Sequence, residues 1–282
     1  MKYTFASLGK FESIGIRLGG AGLGNILFPW ATALVYAKDN NLQRIQTTWK
    51  NLKIGTFLRK ERDKRMYMDL FTGDDGISGF KKFLILNFTN QVKYFSDMDN
   101  LFEPFKNDHV LVKSELLNII SPHHVKKAME FNNNSIAIHI RMGDFINSDN
   151  EDVLRKGAWN YRLPIQWYKN IVSKIREVSD IPIYIFSDVE NAELKEILDI
   201  DNCNRAYFGS AISDMIALSR CKILVSSAST FSMWASFLGQ IPTIWFPGQM
   251  RQKLVIDEKL FEGEIDYNDP LPISVIQLLN ND

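Results

Sequence analysis

Three stretches of the chain collect residues able to hold a phosphate-bearing ligand. His139-Ile140-Arg141-Met142-Gly143-Asp144 ends an apolar run with a cation and a carboxylate. Ser226, Ser227, Ser229, Thr230, Phe231 and Ser232 follow a second apolar run, Ile223-Leu224-Val225. Leu18-Gly19-Gly20-Ala21-Gly22-Leu23-Gly24-Asn25 places four glycines in eight residues. A guanidinium presents a planar fork of donors to phosphate oxygens. A helix start offers unpaired backbone N–H groups to an anion, and glycine lets backbone approach a ligand closely or take positive φ. Helix capping accounts for some of the Ser, Thr and Asp residues. It does not account for Arg141, a cation beside a helix start, where the macrodipole disfavours positive charge. An anion held between Arg141 and nearby N–H groups explains that placement.

Competing chemistries find less support. The dinucleotide spacing GxGxxG is absent, because Leu27 stands where the last glycine would fall, and no Gly-Lys-Ser/Thr phosphate loop occurs. Asp-x-Asp occurs at Asp97-Met98-Asp99 and Asp199-Ile200-Asp201, neither after a clear strand, and the second reads as a turn ending a helix. His123 and His124 are adjacent, so a helix would turn them to different faces, which makes them poor joint ligands. Cys203 and Cys221 are the two cysteines and form no CxxC, which argues against a disulfide scaffold or a structural zinc site. No metal is expected. Thirty-three basic residues balance thirty-three acidic ones, so no global field draws the chain to nucleic acid.

Hydrophobic residues at 45% and charged residues at 23% fit a globular enzyme and exclude a collagen repeat or a coiled-coil rod. The start lacks a signal-peptide apolar stretch. The longest apolar run, near residues 26–37, falls short of the roughly 20 residues that span a bilayer. The expectation is a cytoplasmic protein, with peripheral contact at the inner face of the membrane left open. The basic run Arg59-Lys60-Glu61-Arg62-Asp63-Lys64-Arg65 is ordinary solvated surface or a contact for an anionic acceptor or membrane.

The elements that must position these residues are clearest in the second half. Strands are expected at 136–140, 182–186, 205–208, 223–225 and 243–246. Helices are expected between them: one with Ile165, Tyr168, Ile171, Val172, Ile175 and Val178 on one face, then 191–198, 212–219 and 231–238. Strict alternation of strand and helix means a parallel sheet covered on both faces. Ligands of such sheets bind outside the carboxyl ends of the strands, where Arg141, Asp188 and the serine cluster fall. The first half is fainter. Strands are expected at 14–18, 83–86 and 110–112, and Pro29 is expected in the first turn of the helix after the glycines. The polar break 131–135 sets the boundary: an N-terminal lobe at 1–131, a C-terminal lobe at 132–260 and a tail at 261–282 packing on the lobes.

Gly22-Leu23-Gly24-Asn25, His139 to Asp144 and Ser229-Thr230-Phe231-Ser232-Met233-Trp234 together resemble three motifs of the α-1,2-fucosyltransferases, glycosyltransferase family 11. Phe186-Ser187-Asp188 and the stretch from Asp214 to Lys222 agree in order and spacing. The resemblance runs from about Gly15 to Gly239. It implies an α/β, GT-B-like fold, two Rossmann-like lobes with a donor cleft between them. It also implies a GDP-fucose donor, an acceptor glycan or lipid-linked oligosaccharide bound mainly by the N-terminal lobe, inversion at the sugar, and no metal. Arg141 matches the family arginine expected at the β-phosphate. Met142 departs from the family, which usually has a second arginine there.

On that basis Arg141 stabilises the charge that grows on departing GDP, helped by N–H groups at Ser229, Thr230 and Phe231. Asp188 is expected to read the guanine or ribose, Phe231 to pack on the nucleotide, and Ser232 to lie with them. Gly22, Gly24 and Asn25 orient donor or acceptor. Asp144 and His139 are the candidate bases, although Asp144 could simply orient Arg141 and His139 could be a hydrogen-bonded core histidine. Trp159, in a polar loop, is the better sugar-stacking residue, whereas Trp234 and Trp245 read as core. Two other readings stay open: a transferase using another nucleotide sugar, and a non-catalytic nucleotide-binding member.

Overall fold

The computed structural model describes residues 1–18, 21–52, 67, 69–148 and 150–280. Gly19, Gly20 and the basic run from Arg59 to Arg65 lie outside the described residues. The chain forms two compact units, Met1–Val125 and Lys126–Asp282.

The second unit is built on six strands: β6 (Ile136–Ile140), β7 (Ile183–Ser187), β8 (Cys203–Arg205), β9 (Ile223–Val225), β10 (Thr243–Trp245) and β11 (Glu262–Glu264). Their order is β11-β10-β9-β6-β7-β8, and every pairing is parallel. The chain starts in mid-sheet at β6, moves outward through β7 and β8, then returns to the other side of β6 for β9. Strand order reverses between β6 and β9, and loops leaving that point diverge and open a crevice at the carboxyl edge. Arg141 leaves β6 and Ser226 leaves β9, so both sit at the reversal.

The helix Ile165–Arg176 lies on this sheet by the expected face. Trp167, Tyr168, Ile171, Val172 and Ile175 are buried against Ile136, Ile138 and Ile140. Each such side chain contributes about 1.5–3 kcal/mol on burial, which anchors the strand that carries Arg141. The residues beyond 260 do more than pack as a tail. β11 pairs with β10, and Ile265, Leu271, Val275 and Leu279 join the same core.

The first unit has a three-stranded parallel sheet, β3-β1-β5, from β1 (Tyr3–Ala6), β3 (Gln43–Arg44) and β5 (Val92–Phe95). A separate pair joins β2 (Arg17–Leu18) to β4 (Asn51–Leu52). Residues 14–18 are therefore part of a 3-10 turn, Glu12–Ile14, followed by a two-residue strand. Residues 83–86 and 110–112 are helical, within Gly79–Phe88 and His109–Ile119, rather than strands. Short apolar runs look alike in both states. The deciding signal is the helical spacing of buried Val112, Leu116 and Ile119. The helix after the glycines begins at Leu23, so Pro29 lies in its second turn. A proline there cannot donate to the carbonyl of Asn25, one turn back.

Candidate donor site

The second unit brings together Arg141, Asp144, Asp188, His139 and the 226–232 segment. Arg141 is pinned from two sides. Its Nη2 lies 2.5 Å from Asp144 Oδ1, and its Nη1 lies 2.8 Å from Asp188 Oδ2. Asp188 also accepts the Met142 backbone N–H through Oδ1 at 2.9 Å. Gly143 is packed so closely that a Cβ would collide with the Asp188 carboxylate. Both Asp188 oxygens thus work inside the protein, holding the loop that aims Arg141. Asp188 therefore positions Arg141, a role the sequence did not suggest beside the expected contact to base or ribose. Asp144 is half exposed. The side chain of Met142, where a second arginine was expected, packs against the hydrophobic core.

Below this loop, His139 is buried at the centre of a hydroxyl cluster. Its Nδ1 lies 2.7 Å from both Ser227 Oγ and Ser232 Oγ. Ser227 Oγ is also 2.9 Å from Ser229 Oγ, and the Phe231 ring sits 4.9 Å from the imidazole, centroid to centroid. Burial pushes the imidazole well below its usual pKa. Asp188 opposes that shift, and the cations Arg141 and Arg205 add to it. A neutral histidine enclosed this way organises the turn after β9, which suits the core alternative better than a general base.

That turn is tight. Ala228 has φ 59°, a left-handed conformation that costs an L-residue of order 1–2 kcal/mol. Ser229 caps the helix Thr230–Gly239 by accepting the Ser232 N–H at 3.3 Å. The first N–H groups of that helix face the same edge of the sheet as Arg141. A guanidinium, a helix start and a desolvated floor form an arrangement suited to holding an anion.

Two residues without a role in the sequence reading enter here. Asp214, in the first turn of Ala211–Leu218, accepts the Phe208 N–H at 2.7 Å, and burial raises its carboxyl to about 7. Arg205, at the end of β8, donates Nη2 to the carbonyls of Ser187 and Val189, while its buried Nη1 has no hydrogen-bond partner among the described residues. A carboxyl and a guanidinium desolvated at one strand edge are suited to reading a nucleobase. Asp214 stood inside the matched motif; its burial was the missing signal.

Other expected residues fall elsewhere. Gly22, Gly24 and Asn25 belong to the first unit, at the start of Leu23–Asp39. Gly22 has an ordinary φ of −65° and open space where a Cβ would stand. The Arg251 guanidinium stacks 4.5 Å above Trp159, and Trp234 and Trp245 are buried. His123 and His124 do not diverge: their ring centroids are 3.8 Å apart, and with Asp69 they bring three ligand atoms within 4.8 Å of one another. They lie closer together than adjacency on a helix suggested, within the first turn of Pro122–Met129. The first unit also holds a cavity of about 490 Å³. Gln46, Thr47, Thr48, Trp49, Phe71 and Lys82 are among its walls, and Trp49 stacks on Phe71 at 4.0 Å.

The model of the family described as glycosyl transferase family 11 matches residues 24–246. The O-antigen biosynthesis glycosyltransferase WbnK of Escherichia coli is 30% identical over 161 residues, which are 52% of this chain and 51% of that protein. The chain therefore spans about half the length of this curated relative. Among solved structures, the fucosyltransferase NodZ from Bradyrhizobium is 13% identical with a TM-score of 0.45, over 88% of this chain and 96% of that one. A mutant of Arabidopsis thaliana FUT1 in complex with GDP is 14% identical with a TM-score of 0.49, over 87% of this chain and 70% of that one. The family match reaches from the Gly24-Asn25 helix start through the Arg141 loop and the serine cluster to Phe246, and the chain belongs to glycosyl transferase family 11.

Proposed function

We propose that this chain transfers fucose from GDP-fucose to a glycan hydroxyl, forming an α-1,2 linkage with inversion and without a metal. The observation that carries this reading is Arg141, held by Asp144 and Asp188 at the strand-order reversal beside the helix start at Thr230. As the bond to the anomeric carbon breaks, charge collects on the diphosphate. A guanidinium already fixed there needs no reorganisation at that moment. Arg205 and Asp214 read the guanine edge, the guanidinium facing its acceptors and the carboxyl its N–H donors. Asp144, half exposed beside Arg141, takes the acceptor proton.

The cavity of the first unit, with aromatic and hydroxyl-bearing walls, serves the acceptor. The E. coli relative, named for O-antigen biosynthesis, supports a surface polysaccharide or its lipid-linked precursor as that acceptor. Met142 favours one second reading, a different nucleotide sugar, because a thioether packed into the core replaces a cation beside the diphosphate. Turnover against a panel of GDP- and UDP-sugars, with and without acceptor, tests both. Hydrolysis of GDP-fucose above the other donors supports the fucosyl reading, and preference for another sugar overturns it.

A further inference from the structure

We infer that the exposed face of the Gly79–Phe88 helix, together with the 10–18 segment beside it, docks the first unit onto an anionic lipid bilayer. Phe80, Leu84 and Phe88 recur at four-residue spacing along that helix and are 73%, 41% and 74% exposed. Lys82 and Ile85 face inward instead. Phe83 links the stripe, its ring 6.2 Å from both Phe80 and Phe88. Ile14, Phe80 and Phe83 line one cavity, which places the 10–18 segment against the helix, and that segment exposes Phe11 and Ile14 at 63% and 67%. Phe11 has φ 64°, an outlier for a bulky side chain. So many large apolar groups on one face mark an interaction surface.

Charge selects the partner. The Gly79–Phe88 helix carries Lys81 and Lys82 and no acidic residue. Lys82 is buried against the Gln46 carbonyl and the Thr48 hydroxyl, whereas Lys81 and Lys10 are exposed. Glu12, the acidic residue of the 10–18 segment, is turned inward, accepting the Leu8 N–H and the Ser7 hydroxyl. An apolar face whose two segments carry the exposed Lys81 and Lys10 suits the interface of a membrane with anionic headgroups. A second copy meeting the same face would bring like charges together. Among the described residues no helix is long and apolar enough to cross a membrane, so this attachment lies in the interface plane.

The test is flotation of the full chain with phosphatidylcholine vesicles, with and without phosphatidylglycerol, beside light scattering of the protein alone. Wild type should float with the phosphatidylglycerol vesicles and lose that binding as salt rises. Leu84→Ser with Phe88→Ser should cut the bound fraction roughly tenfold. Lys10→Glu with Lys81→Glu should abolish the preference for anionic lipid. Unchanged melting and GDP binding in both variants show that the fold and donor site survive. Wild type that ignores anionic vesicles, variants that float as well as wild type, or a wild-type dimer that the serine variant breaks would each overturn the inference. None of these readouts depends on transfer.

Discussion

Asp188 divides its carboxylate between Arg141 and the backbone of the next residue, taking Nη1 at 2.8 Å and the Met142 N–H at 2.9 Å. The side chain after β7 thereby sets the direction of the side chain after β6. The guanidinium is held in place by the sheet rather than by its ligand, the preorganisation that electrostatic catalysis requires.

Arg141→Lys keeps the charge but loses the fork. Turnover with GDP-fucose should fall about a hundredfold, about 3 kcal/mol, while GDP affinity falls much less. Arg141→Ala should also lose most of the rise in melting temperature that GDP produces. Full turnover in the lysine variant, or an unchanged GDP-induced rise in the alanine variant, removes Arg141 from the donor site.

Asp188→Asn keeps an acceptor for the Met142 N–H and removes the charge facing Arg141. Affinity for GDP and for pyrophosphate should fall together, by roughly tenfold, and guanosine binding should stay. Titration calorimetry with the three ligands decides this. Equal loss for guanosine would return Asp188 to the base or ribose.

Gly143→Ala forces a methyl group against the Asp188 carboxylate. Turnover and melting temperature should both drop, the latter by several degrees at about 2–4 °C per kcal/mol. Adding Asp188→Ala removes the obstacle, so the double variant should melt above the sum of the two single effects. Strict additivity would show that the two residues do not meet.

His139 and Asp214 pull stability in opposite directions as pH changes. The folded state holds the imidazole below its ordinary value, so protonation of the unfolded chain weakens the fold as pH falls through about 6.5. Asp214 is raised from 3.8 to about 7, so the folded state binds the extra proton and stability falls as pH rises across that window. Asp214→Asn should leave a melting temperature that climbs with pH between about 4 and 6.5. His139→Gln should leave one that declines. Parallel slopes in the two variants would contradict the burial of one or the other.

GDP should bind with unchanged affinity in excess EDTA if, as proposed, its phosphates rest on Arg141 and a helix start. Calorimetry before and after chelation measures this, and loss of binding on chelation would make a divalent ion part of the site.

In the second unit β6, β7 and β9 are short, mostly apolar and each followed by polar residues, and they lie where periodicity places them, whereas β8 occupies Cys203–Arg205 rather than the expected 205–208. Arg141 stands where the sequence suggests a helix start, yet the next helix begins only at Glu151, so a turn and not a helix dipole follows it; the serines stand out through clustering. Roles were harder to read than positions. Nothing in the order Phe186-Ser187-Asp188 tells that the aspartate reaches sideways to the neighbouring strand's loop, since that contact spans 46 residues. Ala228 carries a left-handed turn without a glycine to announce it. In the first unit, two- and four-residue strands leave too few positions for a period to show. Phe261 to Ile265 carry a glycine and two glutamates, so β11 did not read as a strand at all.

β11 has a consequence for how the protein is made. The strand completes the sheet's edge, Ile265 accepts the Trp167 indole N–H at 2.9 Å, and Asp266 grips Arg155 through two contacts of 2.5 and 2.8 Å. The ribosome delivers Ile265 and Asp266 98 and 111 residues after the groups they meet. While they remain in the exit channel, β10 presents an unpaired edge, and Trp167 lacks the carbonyl its N–H requires. The first unit can close on nascent chain, but the second closes only after its last strand emerges. Chaperone occupancy on stalled chains should therefore persist through the late stall points and fall once residues 262–280 are free.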